Sequence, residues 1–104
     1  MTLDPYFEPS EGGDIAFSVE APKIKFGPGS LAEIGHDAKA LGMTHVALYT
    51  DPTVAKLNPV AVAEGSLKAA GIDVAIFDET EVEPTDRSFK AGTAFAEEGK
   101  FDGF

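Results

Sequence analysis

The chain has 104 residues, 43% of them hydrophobic, with eight basic and eighteen acidic side chains and a formal net charge of −10. That is room for one small domain with a core; it is not the composition of a disordered chain. The charge repels phosphate backbones and the basic residues are scattered, which excludes a nucleic-acid binder.

Cysteine is absent, so there are no disulfides, thiolate metal ligands or thiol nucleophile. No apolar run approaches the roughly 20 residues of a membrane span. The first twenty residues carry Asp4, Glu8, Glu11, Asp14 and Glu20 and no Lys or Arg. Secretory and mitochondrial leaders need early positive charge, so the expected location is cytoplasmic, with no membrane partner.

Residues 1–14, with Pro5, Pro9, Gly12 and Gly13, read as a mobile leader. Ile15–Val19 and Lys23–Phe26 alternate in the manner of strands around Pro22 and predict a short antiparallel hairpin. A helix is expected from Ser30, with Ser30 and Glu33 at capping-box spacing. Leu31, Ile34, Ala38 and Leu41 form its apolar stripe, and Gly42 is its stop.

His45–Thr50 has the β-branched and aromatic content of a buried strand. Asp51-Pro52 comes next as an N-cap and first-turn proline. A second helix is expected over Pro59–Ala70, with Val62, Ser66, Leu67 and Ala70 inward and Gly71 as its stop. Asp73–Phe77 is a second buried strand. The acidic loop of Asp78, Glu79, Glu81 and Glu83 leads through Pro84-Thr85 into a third helix, Asp86–Glu98. Phe89, Thr93, Phe95 and Ala96 form the apolar side of that helix, and Gly99 ends it. Phe101–Phe104 opens a further strand.

Strands alternating with helices give an α/β fold with parallel pairing and right-handed crossovers. The sheet reads as incomplete, because its last strand has only about four residues against a usual five or six. Ligands bind such sheets at the carboxyl ends of the strands. That singles out Thr50-Asp51 and the loop after Phe77.

Gly27-Pro28-Gly29-Ser30-Leu31-Ala32 fits the G-x-G-x-x-G/A dinucleotide pattern, with Asp51 at about the expected distance to hold a ribose hydroxyl pair. Pro28 removes a backbone N–H from that loop, and a tight turn plus helix cap explains the same residues. Asp51 likewise has two roles open to it. It caps the helix it precedes, or it binds ribose and by its charge selects NAD over NADP. His36 and His45 have no third partner near in sequence and read as surface or edge residues. The Asp78–Asp86 cluster lacks the spacing of a calcium loop and reads as solvated. No catalytic grouping and no metal ligand set is encoded.

Three segments together resemble the iron-containing (group III) alcohol dehydrogenase family. KIKFGPGSLAEIG (Lys23–Gly35) is similar to its first strand and glycine turn. HVALYTDP (His45–Pro52) is similar to a strand with an aspartate at its tip. EVEPTDRSFKAGTAFAEEGKFDGF (Glu81–Phe104) is similar to the stretch before the family's glycine-rich loop. VEPTD-x-SF and FA-x-x-GKFD are similar to the hydroxyacid–oxoacid transhydrogenase branch in particular.

The resemblance implies that residues 15–104 are the amino-terminal part of a Rossmann-like dinucleotide-binding domain. It implies Asp51, Pro84 and Thr85 as cofactor-binding residues, with Glu83 standing where many members have Asn. It further implies NAD as cofactor, with Fe(II) or another divalent metal held by a helical domain beyond these residues. The partners it implies are a small alcohol, hydroxyacid or aldehyde substrate and a homo-oligomer. These residues alone are expected to be inactive. The competing reading is a stand-alone α/β binding or signalling module with Asp51 as a strand-tip acceptor.

Overall fold

The structure, a computed structural model, describes residues 19–104. Five regular elements succeed one another: α1 (Ile34–Ala40), β1 (His45–Tyr49), α2 (Asn58–Ala69), β2 (Asp73–Phe77) and α3 (Asp86–Gly99). The two strands pair in parallel, from His45 opposite Asp73 to Tyr49 opposite Phe77. On the other edge of β1, Val46 makes a parallel bridge to Gly103. β1 therefore lies between β2 and the start of a third strand, and the fold is α/β with a parallel sheet.

Side-chain alternation separates the two faces of this sheet. Val46 and Val74 point toward α1 and α2, where Ala38, Leu67 and Ile72 complete a buried aliphatic cluster. His45, Tyr49 and Phe77 point the opposite way, toward Phe95 of α3 and Phe101, through a chain of ring contacts 4.5–5.9 Å between centroids. Successive right-handed crossovers on either side of β1 produce this arrangement.

The first helical segment departs from expectation. Ser30–Glu33 is a 3-10 turn that comes after Gly29 at φ 77°, and no side chain caps it. The capping box does not form, because the Glu33 carboxylate is engaged by Lys25 at 3.0 Å. Lys25 also reaches Asp37 at 2.7 Å. Asp37 and, second, Glu33 raise the Lys25 pKa, and Lys25 in turn lowers that of Asp37.

Lys23–Phe26 has no ladder pairing among the described residues. The other arm of the expected hairpin lies, apart from Val19, outside the described residues. Ile24 and Phe26 are 79% and 98% exposed, so the alternation in this segment does not bury either face among the described residues.

α1 and α2 both end in the same device. Gly42 and Gly71 adopt φ 81° and 80°. Met43 N–H then bonds Ala38 O at 3.1 Å, and Ile72 N–H bonds Leu67 O at 3.0 Å. These are Schellman closures. Each puts an apolar residue back onto its own helix just before a strand begins.

The inward stripe of α2 is Val60, Ala63 and Leu67, whereas Val62, Ser66 and Ala70 are only half-buried. The helix rolls because Ser66 turns toward α1 instead. Its hydroxyl donates to Ala32 O at 2.6 Å and accepts from Gly35 N–H at 2.9 Å. A Cβ on Gly35 would collide with the Ser66 carbonyl. Gly35 is therefore what lets the two helices approach.

α3 also differs in detail from its predicted form. Ser88 is its buried residue, while Phe89 is 66% exposed and Thr93 is exposed. Lys100, not Gly99, takes the left-handed turn at its end, at φ 50°. Gly99 is required for another reason: the Phe101 ring occupies the space a Cβ would fill.

Candidate dinucleotide site at the carboxyl ends of the strands

β1 delivers Asp51 to its carboxyl tip. The Asp51 Oδ1 accepts from the N–H groups of Thr53 and Val54, each at 2.8 Å. It thus caps the 3-10 turn Val54–Lys56; α2 begins later, behind Leu57 as N-cap. The capping role spends one carboxylate oxygen. Oδ2 has no hydrogen-bond partner among the described residues. The two roles open to Asp51 in the sequence are compatible: Oδ1 holds the turn, and Oδ2 is not used by it.

The loop after β2 is tied to the same tip. Thr80 N–H donates to Thr50 O at 3.3 Å, and Thr50 N–H donates to Phe77 O at 2.8 Å. Further along, Thr85 is the N-cap of α3, its Oγ1 accepting from Ser88 N–H at 3.2 Å. The same hydroxyl donates to Glu81 Oε2 at 3.0 Å. Arg87 donates to Glu81 Oε1 at 3.3 Å, and Glu81 N–H donates to Ser88 Oγ at 3.4 Å. The loop is therefore braced from inside, with Glu81 at the centre.

Pro84 borders an open, mainly apolar cleft of about 360 Å³. Tyr49, Phe77, Thr80, Phe89 and Gly92 also line it. Tyr49 fixes one wall by donating its hydroxyl to Gly92 O at 2.8 Å. A mainly apolar cleft beside the N-terminus of α3 suits a flat aromatic group. Asp78 and Glu79 instead line a separate open depression with Ile76, Ala94 and Glu98.

Asp51, Pro84 and Thr85 all lie in loops at the carboxyl ends of the strands, but among the described residues no hydrogen bond joins Asp51 to the other two, and Asp51 does not line the cleft that Pro84 borders. No backbone hydrogen bond joins the Gly27–Gly29 turn to them either. That turn feeds α1, which docks through Gly35 on Ser66 in the last turn of α2. α2 starts at the carboxyl end of β1 and returns to the amino end of β2. The G-x-G spelling here marks a turn between Ser30 N–H and Gly27 O at 3.1 Å.

His45 lies at the amino end of the sheet. Its Nε2 is 3.0 Å from Gly99 O, and its ring stacks on Phe101. Nδ1 lies 2.8 Å from Asp73 but is not aligned as a hydrogen bond. Asp102, which no sequence pattern singles out, is the most heavily bonded carboxylate at this end. It accepts from Thr44 Oγ1 and from the N–H groups of Thr44 and His45 at 2.5–3.0 Å. These bonds, the Thr44 hydroxyl first, hold its carboxyl below the usual range. Among the described residues no three His, Cys, Asp or Glu side chains cluster as a metal site, and no helix is long and apolar enough to cross a membrane.

Comparison with known proteins identifies the family. The profile of the iron-containing alcohol dehydrogenases matches residues 21–104. Mitochondrial hydroxyacid-oxoacid transhydrogenases from Homo sapiens and Bos taurus are 41% and 38% identical over 91 residues, 88% of this chain. The chain spans 20% of the length of these relatives.

A solved 1,3-propanediol oxidoreductase superposes with a TM-score of 0.69 at 33% identity, covering 73% of this chain and 20% of that one. The NADH-dependent butanol dehydrogenase A of Thermotoga maritima superposes with a TM-score of 0.74 at 26% identity, covering 84% of this chain and 22% of that one. With its parallel sheet, its strand-tip aspartate and a profile match over most of its length, this chain belongs to the iron-containing alcohol dehydrogenase family.

Proposed function

We propose that these residues are the adenosine-binding part of an NAD-dependent alcohol or hydroxyacid oxidoreductase. The observation that carries the reading is the Asp51 carboxylate at the tip of β1, with Oδ1 spent on the adjoining turn and Oδ2 without a hydrogen-bond partner among the described residues. A vicinal ribose diol donates well to such an oxygen, whereas a 2′-phosphate would be repelled. Pro84 and Thr85 form the adenine side, with the cleft beneath Tyr49 and Phe77 as its apolar floor.

The similarity to hydroxyacid-oxoacid transhydrogenases supports a sharper form of the activity. In that form, oxidation of a hydroxyacid is coupled to reduction of an oxoacid through the bound nucleotide. The iron-containing family supports a divalent metal as Lewis acid on the substrate oxygen, held by residues outside this chain. Without that metal and a pyrophosphate loop, residues 1–104 alone are inactive in this reading. A homo-oligomer and a cytoplasmic setting belong to the same proposal, although the transhydrogenase relatives are mitochondrial by name.

Titration of the native polypeptide carrying these residues with NADH and NADPH tests the reading. Wild type binds NADH in preference, and Asp51→Gly loses most of that preference. Unchanged preference in the variant removes Asp51 from the site. An intact mass for the native product near that of this chain, instead of about five times it, would withdraw the oxidoreductase function.

A further inference from the structure

Glu81 and Arg87 are not among the residues that meet the adenosine in this reading, yet they sit beside them. Thr80 is hydrogen-bonded to Thr50, the residue before Asp51, and Glu81 is next in the chain after Thr80. Its side chain is 37% exposed and Arg87's is 89% exposed. Glu81 Oε1 holds the Arg87 guanidinium at 3.3 Å, while Oε2 takes the Thr85 hydroxyl. A second carboxylate thus stands close to the tip of β1, and the arginine nearest to it is neutralised.

An arginine at this edge of a dinucleotide fold is the group that accommodates a 2′-phosphate. Its planar fork matches phosphate oxygens two at a time. Here that fork is already engaged by an acid. The pair is exposed and long, so its contribution to fold stability is small. Its effect falls on whatever anion approaches.

We propose that Glu81 is a specificity-determining residue for the cofactor. It holds Arg87 away from a 2′-phosphate, so that the site takes NAD(H) and rejects NADP(H). The proposal rests on the dinucleotide reading of the site, and it places discrimination in two carboxylates from two different loops. Asp51 selects for the diol by contact. Glu81 selects against the phosphate by withholding the cation.

The experiment uses the native polypeptide and measures equilibrium affinities for NADH and NADPH in wild type, Glu81→Gln and Glu81→Gln/Arg87→Ala. Glutamine keeps an acceptor for the Thr85 hydroxyl and removes the charge, so a thermal melt close to wild type is expected. The NADPH-to-NADH affinity ratio rises about tenfold in Glu81→Gln, the scale of one charge-assisted contact. The rise shrinks at high salt and disappears in the double variant. A ratio that stays at the wild-type value in Glu81→Gln, with NADH still bound, overturns the role of Glu81 and leaves the dinucleotide reading intact. A wild type that binds neither nucleotide overturns both.

Discussion

The two ends of the sheet are built on opposite principles. At the amino end the hydrogen-bonding groups of the connections are taken up inside the chain. Schellman turns close α1 and α2 onto Met43 and Ile72, Asp102 takes three donors from Thr44 and His45, and Gly35 sinks α1 onto Ser66. At the carboxyl end the loops are braced but left open. Asp51 has one oxygen without a hydrogen-bond partner among the described residues, Pro84 borders an open cleft, and Arg87 is held by an exposed pair. The comparison teaches that stability and recognition are separable here by position along the strands.

Substitutions at the amino end should therefore cost stability and leave nucleotide preference alone. The largest effect is expected from Leu67→Ala. Leu67 is 4% exposed in the aliphatic cluster, and truncation of such a residue costs roughly 2–5 kcal/mol. Denaturant unfolding reads this. A midpoint near wild type would mean that the cluster is not the stabilising core.

Gly35→Ala comes next. The new methyl meets the Ser66 carbonyl, and overpacking of this kind costs about 1–3 kcal/mol. Combining it with Ser66→Ala should not rescue it, because the clash is with backbone.

At the carboxyl end, Thr85→Ala removes the α3 cap and costs about 1 kcal/mol, while also slackening the loop that carries Pro84. A weaker NADH affinity than the stability loss explains is the signature of a site residue; unchanged affinity would make Thr85 a cap alone.

The smallest effect is pH-dependent. Asp102 has its folded pKa lowered from 3.8, the Thr44 hydroxyl contributing most. Its stabilisation is full above that ordinary value and is lost as pH falls through the lower folded one. Asp102→Asn should lower the neutral melt slightly and flatten acid unfolding in that window, because the stabilisation lost at neutral pH is the part that acid would otherwise remove. An acid profile identical to wild type would show that the clasp does not form.

Local signals made much of this readable in advance. The β-branched and aromatic runs located β1 and β2, and Asp-Pro and Pro-Thr marked the loops at the carboxyl ends of the strands. The misreadings share a cause: each depended on a partner distant in sequence. Nothing near Glu33 announces that Lys25 will take its carboxylate. The alanine-rich α2 offers two plausible stripes, and only contact with α1 selects Val60, Ala63 and Leu67. Ser88 is buried because its hydroxyl serves Glu81, which turns Phe89 out. Asp102 clasps Thr44 across 58 residues, beyond the reach of any periodicity. The G-x-G pattern matched by composition alone, since a glycine turn and a phosphate loop are spelled alike.

The central claim is that the open oxygen of Asp51 holds the adenosine ribose. A crystal structure of the native polypeptide with NADH tests it most directly. The account predicts a ribose hydroxyl about 2.5–2.7 Å from Asp51 Oδ2, with Oδ1 still on Thr53 and Val54 and the adenine against Pro84. A ribose bound elsewhere, with both Asp51 oxygens turned to the backbone, would contradict it.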